Sequence, residues 1–248
     1  MCKDNHKIIK ISMSIPIWIY RPIRFIKRFM SNFGLRVRSG TIIPDARGDR
    51  DIEWSWIASR IRGGPGEALD FGSGGSCLAL TAAQAGFNVT AVDLGDIRWY
   101  YKHPHLRFIS GDILTLSLPE NHFDLIINCS TVEHVGLVGR YGVLEDRPDG
   151  DLEAMTRLYT LMKPSARMLL TIPVGKDAVF APLHRVYGRE RLPRLLDRYV
   201  VEDSAFWIKG EDNRWSLCDE ETALNSAGSW DPLRNVYVLG CFVMRKPD

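Results

Sequence analysis

The chain has 248 residues, 45% of them hydrophobic and 25% charged, with a formal net charge of +2. That composition suits a globular domain long enough to bury a core without disulfides or structural metal, and it excludes collagenous and wholly disordered chains. The near-neutral total averages two unlike parts: residues 1–40 hold nine Lys or Arg and one acid, a charge of +8, and the rest carries −6. The cysteines Cys2, Cys77, Cys129, Cys218 and Cys241 form no C-x-x-C pair and mostly lie in apolar runs, so they read as small hydrophobes of a reducing cytoplasm.

The leader comes first. Its apolar stretch, Ile11 to Tyr20, is broken by Pro16 and is about half the roughly 20 residues a spanning helix needs. Arg21, Pro22, Ile23 and Arg24 follow in place of a small-residue cleavage site. From Pro22 to Gly34 the spacing predicts a helix with Ile23, Ile26, Met30 and Phe33 on one face and Arg24, Lys27 and Arg28 on the other. Such a basic amphipathic helix packs its stripe on the domain, lies on an anionic membrane surface, or meets a partner protein or nucleic acid. We divide the chain into this extension, residues 1–48, and a domain, residues 49–248.

Within the domain, helical and strand-like runs alternate. A helix is predicted over Asp51 to Arg62, and Gly63-Gly64-Pro65-Gly66 ends it. A strand follows at Glu67 to Phe71, then a glycine-rich turn, a helix from Cys77 to Ala85 and a strand at Asn88 to Asp93. Further strands are predicted at Arg107 to Ser110 and Phe123 to Cys129, then a helix over Asp151 to Met162 and a strand at Arg167 to Ile172. Tyr199 to Ile208 and Val236 to Met244 supply two late strands. Seven strands with interleaved helices predict an α/β fold, one Rossmann-like, mostly parallel open sheet that binds its ligand at the carboxyl ends of the strands.

The turn Asp70-Phe71-Gly72-Ser73-Gly74-Gly75-Ser76 joins the first strand to a helix. Glycines there permit a tight turn and close backbone approach to a ligand. A dinucleotide site needs G-x-G-x-x-G, and Cys77 stands where the third glycine belongs. A carboxylate at Asp70 repels a pyrophosphate and attracts an ammonium or sulfonium.

On these residues the chain resembles the class I S-adenosylmethionine-dependent methyltransferases, over residues 50–175. Asp70, Gly72 and Gly74 match their first motif, with Ser76 in place of its last glycine; Asp93 in Ala91-Val92-Asp93-Leu94 matches the acid that grips the ribose hydroxyls; Asp112-Ile113 matches the adenine-reading pair. Phe123 to Ser130 and the helix before Lys163-Pro164 match the fourth and fifth. The resemblance implies S-adenosylmethionine as cofactor, held by Asp70, Gly72, Ser73, Gly74, Asp93, Leu94, Asp112, Ile113, Asn128 and Ser130. A narrower likeness, to a poorly characterised bacterial and archaeal group associated with surface polysaccharide or lipid-linked glycan pathways, rests on Arg50-Asp51-x-Glu53-Trp54, Ser130 to Leu137, Gly139-Arg140-Tyr141-Gly142, Asp149-Gly150-Asp151, Pro173 to Lys176 and His184-Arg185-x-Tyr187-Gly188.

Methyl transfer to a hydroxyl needs an aligned nucleophile and a base. His134 and His184 are the candidates, the first placed either as base or as a wall of the cofactor pocket, the second as base, substrate ligand or loop residue. Glu133, Arg140, Tyr141, Arg185 and Tyr187 are candidate substrate contacts. His103-Pro104-His105 has no nearby third ligand, so no metal is expected. The acidic body lacks an aromatic-rich basic stripe, which disfavours nucleic acid. The partners expected are a small-molecule or glycan substrate and, through residues 1–40, the inner face of a membrane. A non-catalytic scaffold of the same fold, docking on a membrane, is the alternative.

Overall fold

The structure, a computed structural model, describes residues 50–99, 101–139, 141–210, 214–226 and 237–248. The leader helix and Arg140 lie outside the described residues.

Helix α1 (Arg50–Ala58) precedes strand β1 (Gly66–Phe71), helix α2 (Leu78–Gln84) and strands β2 (Phe87–Asp93), β3 (Leu106–Ser110) and β4 (Phe123–Cys129). A single 3-10 turn (Val132–His134) follows, then α3 (Gly150–Leu161) and β5 (Met162–Pro173). The remainder runs β6 (Ala178–Phe180), β7 (His184–Val186), α4 (Arg191–Leu196), β8 (Val200–Lys209), β9 (Trp215–Cys218), α5 (Glu220–Asn225) and β10 (Tyr237–Arg245).

Eight strands form one sheet in the order β3-β2-β1-β4-β5-β10-β8-β9. Pairing is parallel from β3 to β5, and β10 is antiparallel to both β5 and β8. Seven of these strands are the predicted ones. The eighth, β9, pairs antiparallel with β8 at the edge, and β6 and β7 make a separate two-stranded ribbon. These three short strands carry too few residues for a periodic signal.

Alternation along the strands divides the core between the two faces. Leu69, Phe71, Val92, Phe123 and Ile126 pack on α3 through Ala154, Met155, Leu158 and Leu161. Ala68, Val89, Ala91, Leu125 and Ile127 pack on Trp56 and Ile57 of α1 and on Leu78, Ala79, Ala82 and Ala83 of α2. Spacings of three and four along α2 and α3 put these side chains on one stripe of each helix. The strand order reverses between β1 and β4, whose carboxyl ends open into a cavity.

Candidate active site

That cavity has a volume of about 680 Å³. One wall is the turn after β1. Gly72 and Gly74 adopt φ of +70° and +49°. A Cβ on Gly72 would stand 2.1 Å from Thr131 Cγ2, so this position admits no side chain. The turn is braced on every side: the Gly72 N–H donates to the Val92 carbonyl (2.8 Å) and the Gly74 N–H to Asp93 Oδ2 (3.0 Å). Trp99 Nε1 donates to the Gly74 carbonyl (3.0 Å), and the Tyr101 hydroxyl to the Ser76 carbonyl (2.7 Å). Ser76, in place of the family's last glycine, accepts the Leu78 N–H at the start of α2.

Gly72, Ser73, Gly74, Asp93, Leu94, Asp112, Ile113 and Ser130 all line the cavity. Ser73 Oγ is buried there with no hydrogen-bond partner among the described residues. The Asp93 carboxylate accepts one backbone N–H on each oxygen, from Gly74 and Gly95. Asp112 Oδ1 accepts the Leu114 N–H (2.9 Å). Both carboxylates keep lone pairs for a ligand.

Two expected cofactor residues sit elsewhere. Asp70 is 1% exposed, beneath the turn rather than on the cavity wall. Burial raises its pKa to about 7, the Ala79 N–H opposes this, and the Asp93 charge adds to it. Asn128 is also buried and off the wall: its Oδ1 accepts the Val132 N–H (3.3 Å), which fixes the 3-10 turn.

The opposite wall begins after β4. Ser130 has φ +45°, a strained conformation for a residue with a side chain. Its N–H donates to the Thr171 carbonyl (3.0 Å) and its hydroxyl to Glu53 Oε1. His134 closes the 3-10 turn and lines the cavity. Its Nδ1 is 2.5 Å from the Leu183 carbonyl. A carbonyl only accepts, so Nδ1 is the donor of that bond, and Nε2 stands 3.6 Å from Glu133 Oε1. The half-exposed Tyr141 ring, 4.9 Å from the His134 ring, shares that wall with Val143 and Leu144.

Arg185 and Tyr187, expected as substrate contacts, are buried and are not among the residues lining the cavity. Arg185, 1% exposed, donates to the carbonyls of Val135 (2.6 Å), Arg147 (2.9 Å) and Pro148 (3.2 Å). The Tyr187 hydroxyl donates to the buried Asp151 carboxylate (3.1 Å), which Arg191 also binds. These residues hold the loop 133–148 in place from behind. Glu133 is likewise buried, and its carboxylate faces His134. His184 is buried in β7, its ring 6.4 Å from that of His134, and does not reach the cavity. Arg50 and Trp54 of α1 do line it, although sequence reasoning gave them no role.

A family profile described as "Caenorhabditis protein of unknown function, DUF268" matches residues 115–226. A ubiquinone biosynthesis O-methyltransferase of Pseudomonas fluorescens is 24% identical over 199 residues, 76% of this chain and 79% of that protein. The Burkholderia thailandensis 1,6-didemethyltoxoflavin N1-methyltransferase, solved with S-adenosylhomocysteine, superposes with a TM-score of 0.52 at 18% identity, over 97% of this chain and 94% of its own. The [4+2]-cyclase SpnF superposes at 0.55 and 14% identity, over 93% and 94%.

The fold is that of the class I S-adenosylmethionine-dependent methyltransferases, and the curated relatives are methyltransferases. The residues on the cavity wall fit S-adenosylmethionine as a cofactor. Asp93 and Asp112 offer acceptors for ribose hydroxyls and an adenine amino group, Ile113 an apolar face, and Ser73 an unsatisfied buried hydroxyl.

Proposed function

We propose that this methyltransferase methylates a hydroxyl of a small-molecule or glycan-type acceptor, glycolipids included, with His134 as general base. The observation that carries this reading is the placement of His134: Nδ1 donates to the Leu183 carbonyl, and the residue lines the cavity, which leaves Nε2 as the nitrogen that would take a proton. When bound, the cofactor supplies a methyl group already activated by its sulfonium. The chain therefore has to hold the acceptor in line and take its proton. As the hydroxyl attacks, Nε2 accepts that proton, and the Glu133 carboxylate at 3.6 Å stabilises the imidazolium. An oxygen acceptor is supported by the ubiquinone O-methyltransferase relatives. A glycan-type acceptor is supported by the narrower motif likeness, and work at the cytoplasmic face of a membrane by the +8 leader, residues 1–48, ahead of the domain 49–248.

The test has two parts. Calorimetry with S-adenosylhomocysteine should give binding that weakens about 100-fold in Asp93→Ala, since each lost hydrogen bond to a charged group is worth roughly 1.5–3 kcal/mol. A labelled-methyl assay on extracted glycolipids and small hydroxyl compounds should give transfer that His134→Ala reduces about 100-fold or more. The cyclase likeness sets the rival, this fold without methyl transfer. Binding of S-adenosylhomocysteine with no labelled product from any acceptor would favour it.

A further inference from the structure

We infer that Glu53 is the positioning residue of the acceptor side: one buried carboxylate couples α1, with its cavity residues Arg50 and Trp54, to the strained segment that delivers His134. The inference rests on the reading of His134 as the base.

Glu53 is 0% exposed. Its carboxylate accepts from donors on three separate elements: Arg50 Nη1 in α1 (2.8 Å), the Ser130 hydroxyl after β4 and the Thr171 hydroxyl in β5 (2.9 Å). A buried carboxylate persists only with such partners, and only a carboxylate presents acceptors alone at both of its polar atoms. The conformation of Ser130 is one that a side-chain-bearing residue keeps only when its surroundings hold it. Two bonds hold it, the N–H to the Thr171 carbonyl and the hydroxyl to Glu53. Four residues later stands His134, at the end of the 3-10 turn that begins two residues after Ser130.

The opposite wall is built differently. Asp93 and the glycine turn are braced by backbone N–H groups, Trp99 and Tyr101, and Asp112 by the Leu114 N–H. None of these bonds involves Glu53. Loss of Glu53 should therefore disturb the base and leave the cofactor half intact. The chemistry also separates its two duties. In Glu53→Gln, Oε1 still accepts from Ser130 and Thr171, whereas the amide NH₂ faces Arg50, donor against donor.

The test uses the full chain and three measurements on Glu53→Ala and Glu53→Gln. S-adenosylhomocysteine affinity should stay within about threefold of wild type in both, since no ligand bond is lost. Amide hydrogen exchange over residues 130–137 should accelerate about 10- to 100-fold in Glu53→Ala, beyond any change elsewhere, because local opening follows local bonding. The ring ¹⁵N spectrum of His134 should change from the Nδ1–H tautomer to a mixture in Glu53→Ala. Glu53→Gln should restore both signatures. Should Glu53→Ala fail to fold, Ser130→Ala removes the one hydroxyl and carries the same expectation for exchange and for the His134 tautomer. A His134 tautomer unchanged in these variants, or exchange accelerated evenly over the domain, would overturn the inference. Failure of the wild-type chain to bind S-adenosylhomocysteine would count against the proposed function instead, and it leaves the exchange and tautomer comparison standing.

Discussion

At Gly72 two requirements coincide, a φ of +70° and a missing Cβ where Thr131 Cγ2 would be 2.1 Å away. Gly74 has only the first and Gly75 neither. Gly72→Ala should therefore destabilise by about 2–3 kcal/mol, with a loss of roughly 4–10 °C in melting temperature, and Gly75→Ala by far less. Differential scanning calorimetry checks the ranking. Asp70 gives a pH prediction. Its pKa in the fold is about 7, against an ordinary 3.8, so the native state holds the proton more tightly than the unfolded chain. Below pH 3.8 both states are protonated and stability is unaffected. Between 3.8 and about 7 the unfolded chain ionises first, so stability falls as pH rises, and above about 7 the penalty is constant. Urea midpoints measured from pH 4 to 8 should show this decline in wild type, and Asp70→Asn should remove it. The residues of the cofactor wall were legible in the sequence because each belongs to a local pattern, a glycine turn or an acid at a strand end. Glu53 was not, although its motif was visible. Its partners lie 77 and 118 residues away, and no spacing rule reaches that far.

Among the elements, the loop 133–148 is the informative one. It has no periodicity, yet Arg185 of β7 binds carbonyls at both of its ends, Val135 on one side and Arg147 and Pro148 on the other. Arg185 and Arg191 share the buried Asp151 carboxylate at the start of α3, so α3, α4, β7 and the loop form one unit. Arg185→Met should cost about 3–5 kcal/mol, since a buried ion network broken on one side leaves its other members uncompensated. Chemical denaturation reads the loss, and limited proteolysis should find a new cleavage site between residues 137 and 147. In sequence, the stretch His184 to Tyr187 resembles a cationic substrate surface. In the fold Arg185 is buried instead: the carbonyls that it binds carry no side-chain signature and become its partners only when the loop folds over β7. Leu144, 90% exposed at the cavity mouth, marks the outer limit of what this network holds.

Across the whole molecule, the last strand of the chain occupies the interior of the sheet. β10 pairs with β5 through Leu239 to Arg245 and with β8 through Tyr237 to Arg245. A chain truncated after residue 236 should therefore lose β8 and β9 from the sheet and fail to fold cooperatively, as read by far-UV circular dichroism and a flat thermal scan. No described helix is long and apolar enough to cross a membrane. The alternation of strands and helices and the glycine turn already specified a mostly parallel sheet, because those features depend on neighbours a few residues apart. Tertiary structure decided which polar residues face the cavity and which are buried behind it. Arg50 and Trp54 went to the wall, and Arg185, Tyr187, His184 and Asn128 went to the interior. Burial and hydrogen-bond partners come from segments distant in the chain, and only the folded packing brings those segments together.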